Sequence, residues 1–291
     1  MTKDLKIRFG PSGNDELFYA QGNKSTIQAP AWLSRMGLSA MEINFTRGTK
    51  MSVETARKIG DEARKYDIEL SAHAPYYINL ANDEAFEKNY NWIKQCLVLL
   101  KEMGFRRLVV HLATQGERSR EDALKSVGIN LIKIIEKLDS DGLSDFLLCI
   151  ETMGKYSAIG NVEEICAFCK VDPRVIPTLD FGHINCLLQG ELQTNPNKIG
   201  EVIEYVEREI GREKLKIVHV HWSAIVYSEK GERYHTKLSD NKWSFSFEPF
   251  ARIIKEKELT PVIICESDSI MAQDAQKLKR EYEKILGKEI N

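Results

Sequence analysis

Eight short runs rich in Val, Ile and Leu recur along the whole chain, and most are followed by a stretch in which apolar residues return every three or four positions. The runs are LKIRFG (5–10), AMEINF (40–45), IELSAH (68–73), RLVVHL (107–112), FLLCIE (146–151), VIPTLD (175–180), KIVHVH (216–221) and PVIICE (261–266). Between them, segments such as VETARKIGDEARKY, EKNYNWIKQCLVLLKEMG, EDALKSVGINLIKIIEKL and IGEVIEYVEREIG put apolar residues on one helical face and Lys, Glu and Arg on the other. Eight strand-then-helix units in 291 residues predict an α/β protein, a single (β/α)8 TIM barrel spanning residues 1–291 with no linker and no second domain. The alternative is a doubly wound open sheet, whose strands divide about a switch point.

Composition enters as a set of exclusions. With 41 Lys and Arg against 43 Asp and Glu, the formal charge is −2 and there is no basic footprint for nucleic acid. No stretch reaches the roughly 20 apolar residues of a membrane span. The start, MTKDLKIRFGPSGNDELF, meets acidic and polar residues before a signal core forms, so a cytoplasmic location is expected. The six cysteines are scattered and read as reduced; Cys166 and Cys169 form half a zinc motif, but they lie on the helical stretch NVEEICAFCK with no second pair and read as core thiols. GxGxxG, GxxxxGK[ST] and GxSxG are all absent, which removes phosphate-cradling loops and acyl-serine chemistry. One unusually polar insertion, residues 222–243, follows the seventh strand and reads as a long functional loop.

The ends of the strands carry the chemistry. His73 ends the third strand, His111 the fourth, Glu151 the fifth, Asp180 the sixth with His183 just beyond, His219 and His221 the seventh and Glu266 the eighth; His235 lies in the polar insertion. In a barrel the carboxyl ends of all strands converge on one face. Three carboxylates pressed together there would repel one another unless cations sat among them, and imidazole with carboxylate suits zinc or manganese. A polynuclear metal site is therefore expected. His219 shares the orientation of His221 but lies one layer deeper, which makes it a candidate buried partner.

In order and spacing, SAHAPYYINLA (71–81), VVH (109–111), IET (150–152), LDFGH (179–183), HWSAI (221–225), GERYH (231–235) and ICES (264–267) resemble the metal motifs of the endonuclease IV family of apurinic/apyrimidinic endonucleases. The resemblance implies a (β/α)8 barrel holding two or three zinc ions, with manganese an alternative at one position. Its activity would be hydrolysis of the DNA backbone 5′ to an abasic site by a metal-activated hydroxide, with damaged double-stranded DNA as partner and neither a membrane nor a protein partner. His73 and His111 would hold one ion, Asp180, His221 and Glu266 a second, with Glu151 bridging as the catalytic carboxylate. His183 and His235 would hold a third. Arg47, Lys50, Tyr76 and Asn79 would meet the duplex at the lesion. Three divalent ions would bring the loaded protein to about +4 at the barrel mouth. The chain departs from the family twice: Leu112-Ala113 stand where Pro-Gly follows the fourth-strand histidine, and Arg233 stands where an aspartate precedes the loop histidine by two residues, with Glu232 beside it as a substitute.

Two rivals remain. A metal-dependent sugar isomerase or epimerase of the xylose isomerase-like barrels would use Glu151, Asp180, a seventh-strand histidine and Glu266, and would leave His73, His111, His183, His235 and Tyr76 without a task. A catalytically silent DNA-damage or metal-binding module would keep the motifs without turnover, with Arg233 as its support.

Overall fold

The computed structural model describes residues 6–46 and 48–287; Arg47, expected at the DNA surface, lies outside the described residues. Eight parallel strands form the centre: β1 (Arg8–Pro11), β2 (Ala40–Asn44), β3 (Glu69–His73), β4 (Arg107–Val110), β5 (Leu147–Glu151), β6 (Val175–Asp180), β7 (His219–Trp222) and β8 (Val262–Cys265). From β2 to β8 each pairs with the next in chain order, and β8 pairs with β1. The seam between β1 and β2 is closed by a parallel bridge from Ser12 to Glu42 and by N–H groups of Ser39 and Gly13 donating to the carbonyls of Phe9 and Glu42, each at 2.9 Å. Glycine is required at position 10, because a Cβ there would lie 1.8 Å from the Ala40 carbonyl oxygen.

Helices follow as the periodicity predicts. VETARKIGDEARKY forms Val53–Lys65, EKNYNWIKQCLVLLKEMG lies within Phe86–Met103 and its C-cap, and IGEVIEYVEREIG within Lys198–Ile210 and its C-cap. Their ends are chemically marked: the side chains of Ser52, Ser119 and Asn161 accept helix N–H groups, and Gly104 terminates its helix in the left-handed region at φ 81°. Cys166 falls on the helix Val162–Phe168 with Cys169 as its C-cap, and all six cysteines are free and buried. No described helix is long and apolar enough to cross a membrane.

Side chains alternate along each strand. Those facing the helices, Leu70, Leu108, Ile150, Leu179 and Val220 among them, join one continuous core, while Val109, Cys149 and Ile176, and separately Ala40, Val262 and Ile264, form small clusters inside the barrel. Other interior positions are polar and buried, Arg8, Glu42, Ser71, His73, Arg107, Glu151, Thr178, Asp180, His219 and His221 among them. Strand parity thus gathers these residues in one interior.

The insertion after β7 differs from the expected long loop. Ala224–Ser228 and Gly231–Thr236 pair as an antiparallel hairpin, because AIVYS and GERYHT are themselves strand-forming around a tight turn. Gly231 adopts φ 94° against the Gly154 carbonyl, 2.3 Å from where its Cβ would stand, and this contact with the segment after β5 holds the hairpin over the barrel mouth.

Candidate metal centre

Glu151, the last residue of β5, is fully buried at the centre of the site. Its Oε2 lies 2.8 Å from His111 Nε2 and 3.2 Å from His73 Nε2, and its Oε1 lies 3.0 Å from His221 Nδ1. On the second side His221 Nδ1 also faces Glu266 Oε2 at 3.4 Å and Asp180 Oδ2 at 3.9 Å. Four groups therefore have donor atoms within 4.8 Å of one another: His73, His111 and Glu151; Glu151, Asp180, His221 and Glu266; His183, Glu232 and His235; and, deeper in the barrel, Glu42, His219 and His221. The first two share Glu151. His183 adjoins all of this, with Nε2 at 3.4 Å from Glu232 Oε2 and Nδ1 at 3.4 Å from Asp180 Oδ2.

The unused ring nitrogens are anchored by oxygen. A carbonyl can only accept, so His73 Nδ1–H donates to the Ala74 carbonyl at 2.8 Å and His183 Nδ1–H to that of Thr152 at 2.9 Å. His235 Nδ1 pairs with Ser223 Oγ at 2.9 Å. Each contact leaves Nε2 for the cluster, the arrangement by which outer partners orient metal-binding imidazoles.

Electrostatics agree with a cation in this place. Burial pushes the Glu151 carboxyl up, but the His111 and His221 charges with hydrogen bonds from His111 and His183 hold it well below the carboxylate range. Burial likewise raises Glu266, and His221 draws it down to about 2. Asp180 moves the other way: burial raises it, and Glu151 and Glu266 repel its charge against the pull of His183 and His221. Burial lowers His73, yet the Glu151 hydrogen bond and charge carry it up to about 9. Protons on histidines thus balance the carboxylates, and Asp180 Oδ2 stays buried without a hydrogen-bond partner. Divalent ions would replace those protons and use that oxygen, so the nitrogen and oxygen donors fit zinc or manganese.

Residues 30–285 match the family described as the xylose isomerase-like TIM barrel. The chain belongs to that family. It is 30% identical over 288 residues to an uncharacterised protein of Methanocaldococcus jannaschii, covering 98% of this chain and all of that one. It is 22% identical over 275 residues to a protein of Mycoplasma pneumoniae named probable endonuclease 4, covering 91% and 88% of the two chains. Among solved structures, a D-tagatose 3-epimerase-like protein superposes with a TM-score of 0.71 at 21% identity, over 97% of this chain and 98% of that one. The family thus has neighbours named for DNA cleavage and for sugar chemistry.

In this xylose isomerase-like barrel the third donor group depends on a β-bulge. In the hairpin Val226 pairs with Tyr234 but Tyr227 pairs with Glu232, which leaves Arg233 as an extra residue. In a regular strand positions 232 and 235 would face opposite sides; the bulge resets the alternation, and Glu232 and His235 both turn toward His183. Arg233 is exposed.

The expected DNA-contacting residues are placed unequally. Tyr76 is exposed, with its ring centroid 5.4 Å from those of both His73 and His111. Lys50 is exposed beside a pocket of about 370 Å³ that Asn14, Asn44 and Phe45 also line. Asn79 is tied to three neighbouring segments: its N–H donates to Asn89 Oδ1 on the helix Phe86–Met103, its Nδ2 to Thr114 Oγ1 after β4, and its Oδ1 accepts from Ala81 N–H in its own loop. Among the described residues the exposed large aromatics are Tyr19, on the short helix Glu16–Ala20 after β1, Tyr76 and Tyr77 after β3, Tyr156 after β5 and Tyr234 on the hairpin after β7.

His221 is the seventh-strand residue that meets the carboxylates, while His219 lies deeper with Nε2 at 3.1 Å from Glu42 Oε2. Glu42 was not marked by the strand-end pattern because it sits mid-strand in AMEIN. The signal was available: an acid in an otherwise apolar buried strand requires a partner.

Proposed function

We propose that this chain is a metal-dependent endonuclease that hydrolyses the DNA phosphodiester 5′ to an abasic site. The observation that carries the reading is the continuity of three of the four donor groups around one buried carboxylate, with Glu151 shared by two of them. A sugar epimerase site needs one or two of these groups, whereas a phosphodiester in hydrolysis develops charge on attacking, non-bridging and leaving oxygens that a wider cluster spans. The relative named probable endonuclease 4 supports the same reading.

His73, His111 and Glu151 would hold one ion, Glu151, Asp180, His221 and Glu266 a second, and His183, Glu232 and His235 a third. When bound, the ions supply Lewis acidity and a water acidic enough to ionise near neutral pH. The chain's own part is positional. Glu151 offers one oxygen to each side of the site and so sets the spacing at which a phosphate is received. Carbonyl anchors on His73 and His183 fix the rings before substrate arrives, which spares reorganisation at the moment of reaction. Tyr76, over His73 and His111, is placed to press on a duplex whose abasic position has little stacking to lose. Lys50 and the exposed ring of the neighbouring Tyr77 would add a cation and a stacking face.

The test is incubation of the pure protein with a duplex carrying one abasic site. The expected result is a single nick 5′ to the lesion, abolished by chelator and restored by zinc or manganese, and weakened discrimination against intact duplex in Tyr76→Ala. A metal-loaded protein that leaves the duplex intact and epimerises a ketose at C3 would replace this reading with the sugar-enzyme one, which the epimerase-like structural neighbour favours.

A further inference from the structure

Glu42 is a fully buried carboxylate inside the barrel, and no lysine or arginine among the described residues forms an ion pair with it. Burying such a charge is costly unless it is held by hydrogen bonds and put to use. Its Oε2 accepts from Ser71 Oγ–H at 2.8 Å and from His219 Nε2–H at 3.1 Å. Its Oε1 lies 3.1 Å from His221 Nε2 as an ion pair, and neither atom has a hydrogen-bond partner.

The orientation of His221 is what makes this contact informative. His73 and His183 turn Nδ1 to a carbonyl and Nε2 to the cluster. His221 is reversed, with Nδ1 toward Glu151, Glu266 and Asp180 and Nε2 toward Glu42. Its anchor is a carboxylate on the opposite wall instead of a nearby carbonyl.

Resting on the metal reading above, we propose that Glu42 is a positioning residue: its carboxylate takes the Nε2–H of His221 and thereby holds the Nδ1 lone pair toward the ion shared with Glu151, Asp180 and Glu266. Because an ionised carboxylate only accepts, it also locates the proton on His219 at Nε2, which makes His219 and Ser71 the clamp on Glu42 and gives the deeper histidine a structural task without a place in the cluster. A carboxylate behind an imidazole raises its basicity as a ligand, and outer partners of this kind contribute about ten- to a hundredfold to metal affinity.

The experiment measures zinc affinity by competition with a chromophoric chelator for the wild type, Glu42→Gln and Glu42→Ala, together with the nitrogen-15 histidine spectrum of the zinc-loaded wild type. The expected result is about a hundredfold weaker binding of one ion in Glu42→Ala and about tenfold in Glu42→Gln, whose amide oxygen still accepts; in the wild-type spectrum the His221 proton is on Nε2. Variants that bind every ion as the wild type does, or a His221 proton on Nδ1, overturn the proposal. So does an additional ion bound between Glu42, His219 and His221. If Glu42→Ala does not fold, the wild-type spectrum and Glu42→Gln decide the matter. A wild type that holds no zinc overturns the metal reading itself, an outcome distinct from a loaded wild type with unaffected variants.

Discussion

His73, Glu151, Asp180 and His221 hang from strands paired on both sides within the barrel, whereas Glu232 and His235 hang from a two-stranded hairpin that packs on the helix Phe181–Leu187 and bonds to the segment after β5 at Gly154 and Lys155. In the first region simple alternation points every donor inward, and a one-residue shift would turn the whole set toward the helices. In the second, alternation alone would turn Glu232 away from His235, and the extra residue at Arg233 brings them together. Donors built on ladders are set by the fold; donors built on a bulge are set by one local irregularity.

If the inner region is the indispensable one, Glu151→Gln is the most damaging change. It is expected to lower abasic-site cleavage on the order of a thousandfold, to reduce metal content on both sides of the carboxylate, and to leave binding of abasic duplex largely intact. Metal analysis with a gel-shift assay checks this. Equal losses in binding and turnover would erase the distinction between the carboxylate and the rim.

Metal removal separates the regions by pH. His73 is raised from 6.5 to about 9 by Glu151 against the opposing effect of burial. A group with a raised folded-state pKa stabilises fully below its unfolded value and stops doing so as pH passes the folded one. Chelated protein should therefore lose stability between pH 6.5 and about 9, while the zinc-loaded protein, freed from proton competition, should not. Thermal melts in zinc and in chelator, taken across that range, should diverge with rising pH; parallel curves would show that His73 does not exchange a proton for an ion.

For the hairpin, His235→Ala is expected to remove one ion and slow cleavage by at least about tenfold while sparing the inner groups. Loss of every ion would mean that the two regions bind as one cooperative unit.

The smallest expected effects test the bulge. Deleting Arg233 leaves Glu232 two residues before the histidine, so a regular strand would again turn both the same way; metal content is expected to hold. Arg233→Asp adds a carboxylate on the extra residue and should gain nothing. A gain of metal affinity in Arg233→Asp would show that position 233 faces the ions.

The same contrast explains what could be read from the sequence. VIPTLD is strand β6 residue for residue, and its terminal aspartate lies in the mouth as expected, because buried parallel strands are apolar, short and sharply ended. Strand-end position also gathered His73, His111, Glu151, His221 and Glu266. It missed Glu42, since a residue in the middle of a strand faces the interior only if the parity of the whole strand is known. It read residues 222–243 as a loop because Ser, Glu, Lys and Asp dominate the composition and obscure the alternation of AIVYS. It left Glu232 as a substitute for a missing aspartate, because a bulge has no signature in spacing. Ring direction, finally, depends on which oxygen lies nearby, and that is a matter of tertiary contact.

Asp180 ends β6 and caps the helix Phe181–Leu187, its Oδ1 accepting the His183 N–H at 2.7 Å while Oδ2 faces the cluster. One side chain therefore satisfies two unrelated demands, and the demands rank its replacements differently. Asparagine would preserve the start of the helix and forfeit the negative charge; glutamate would preserve the charge and misplace the cap. The route of sequence change through position 180 is closed from both directions, and the helix that carries His183 shares that constraint.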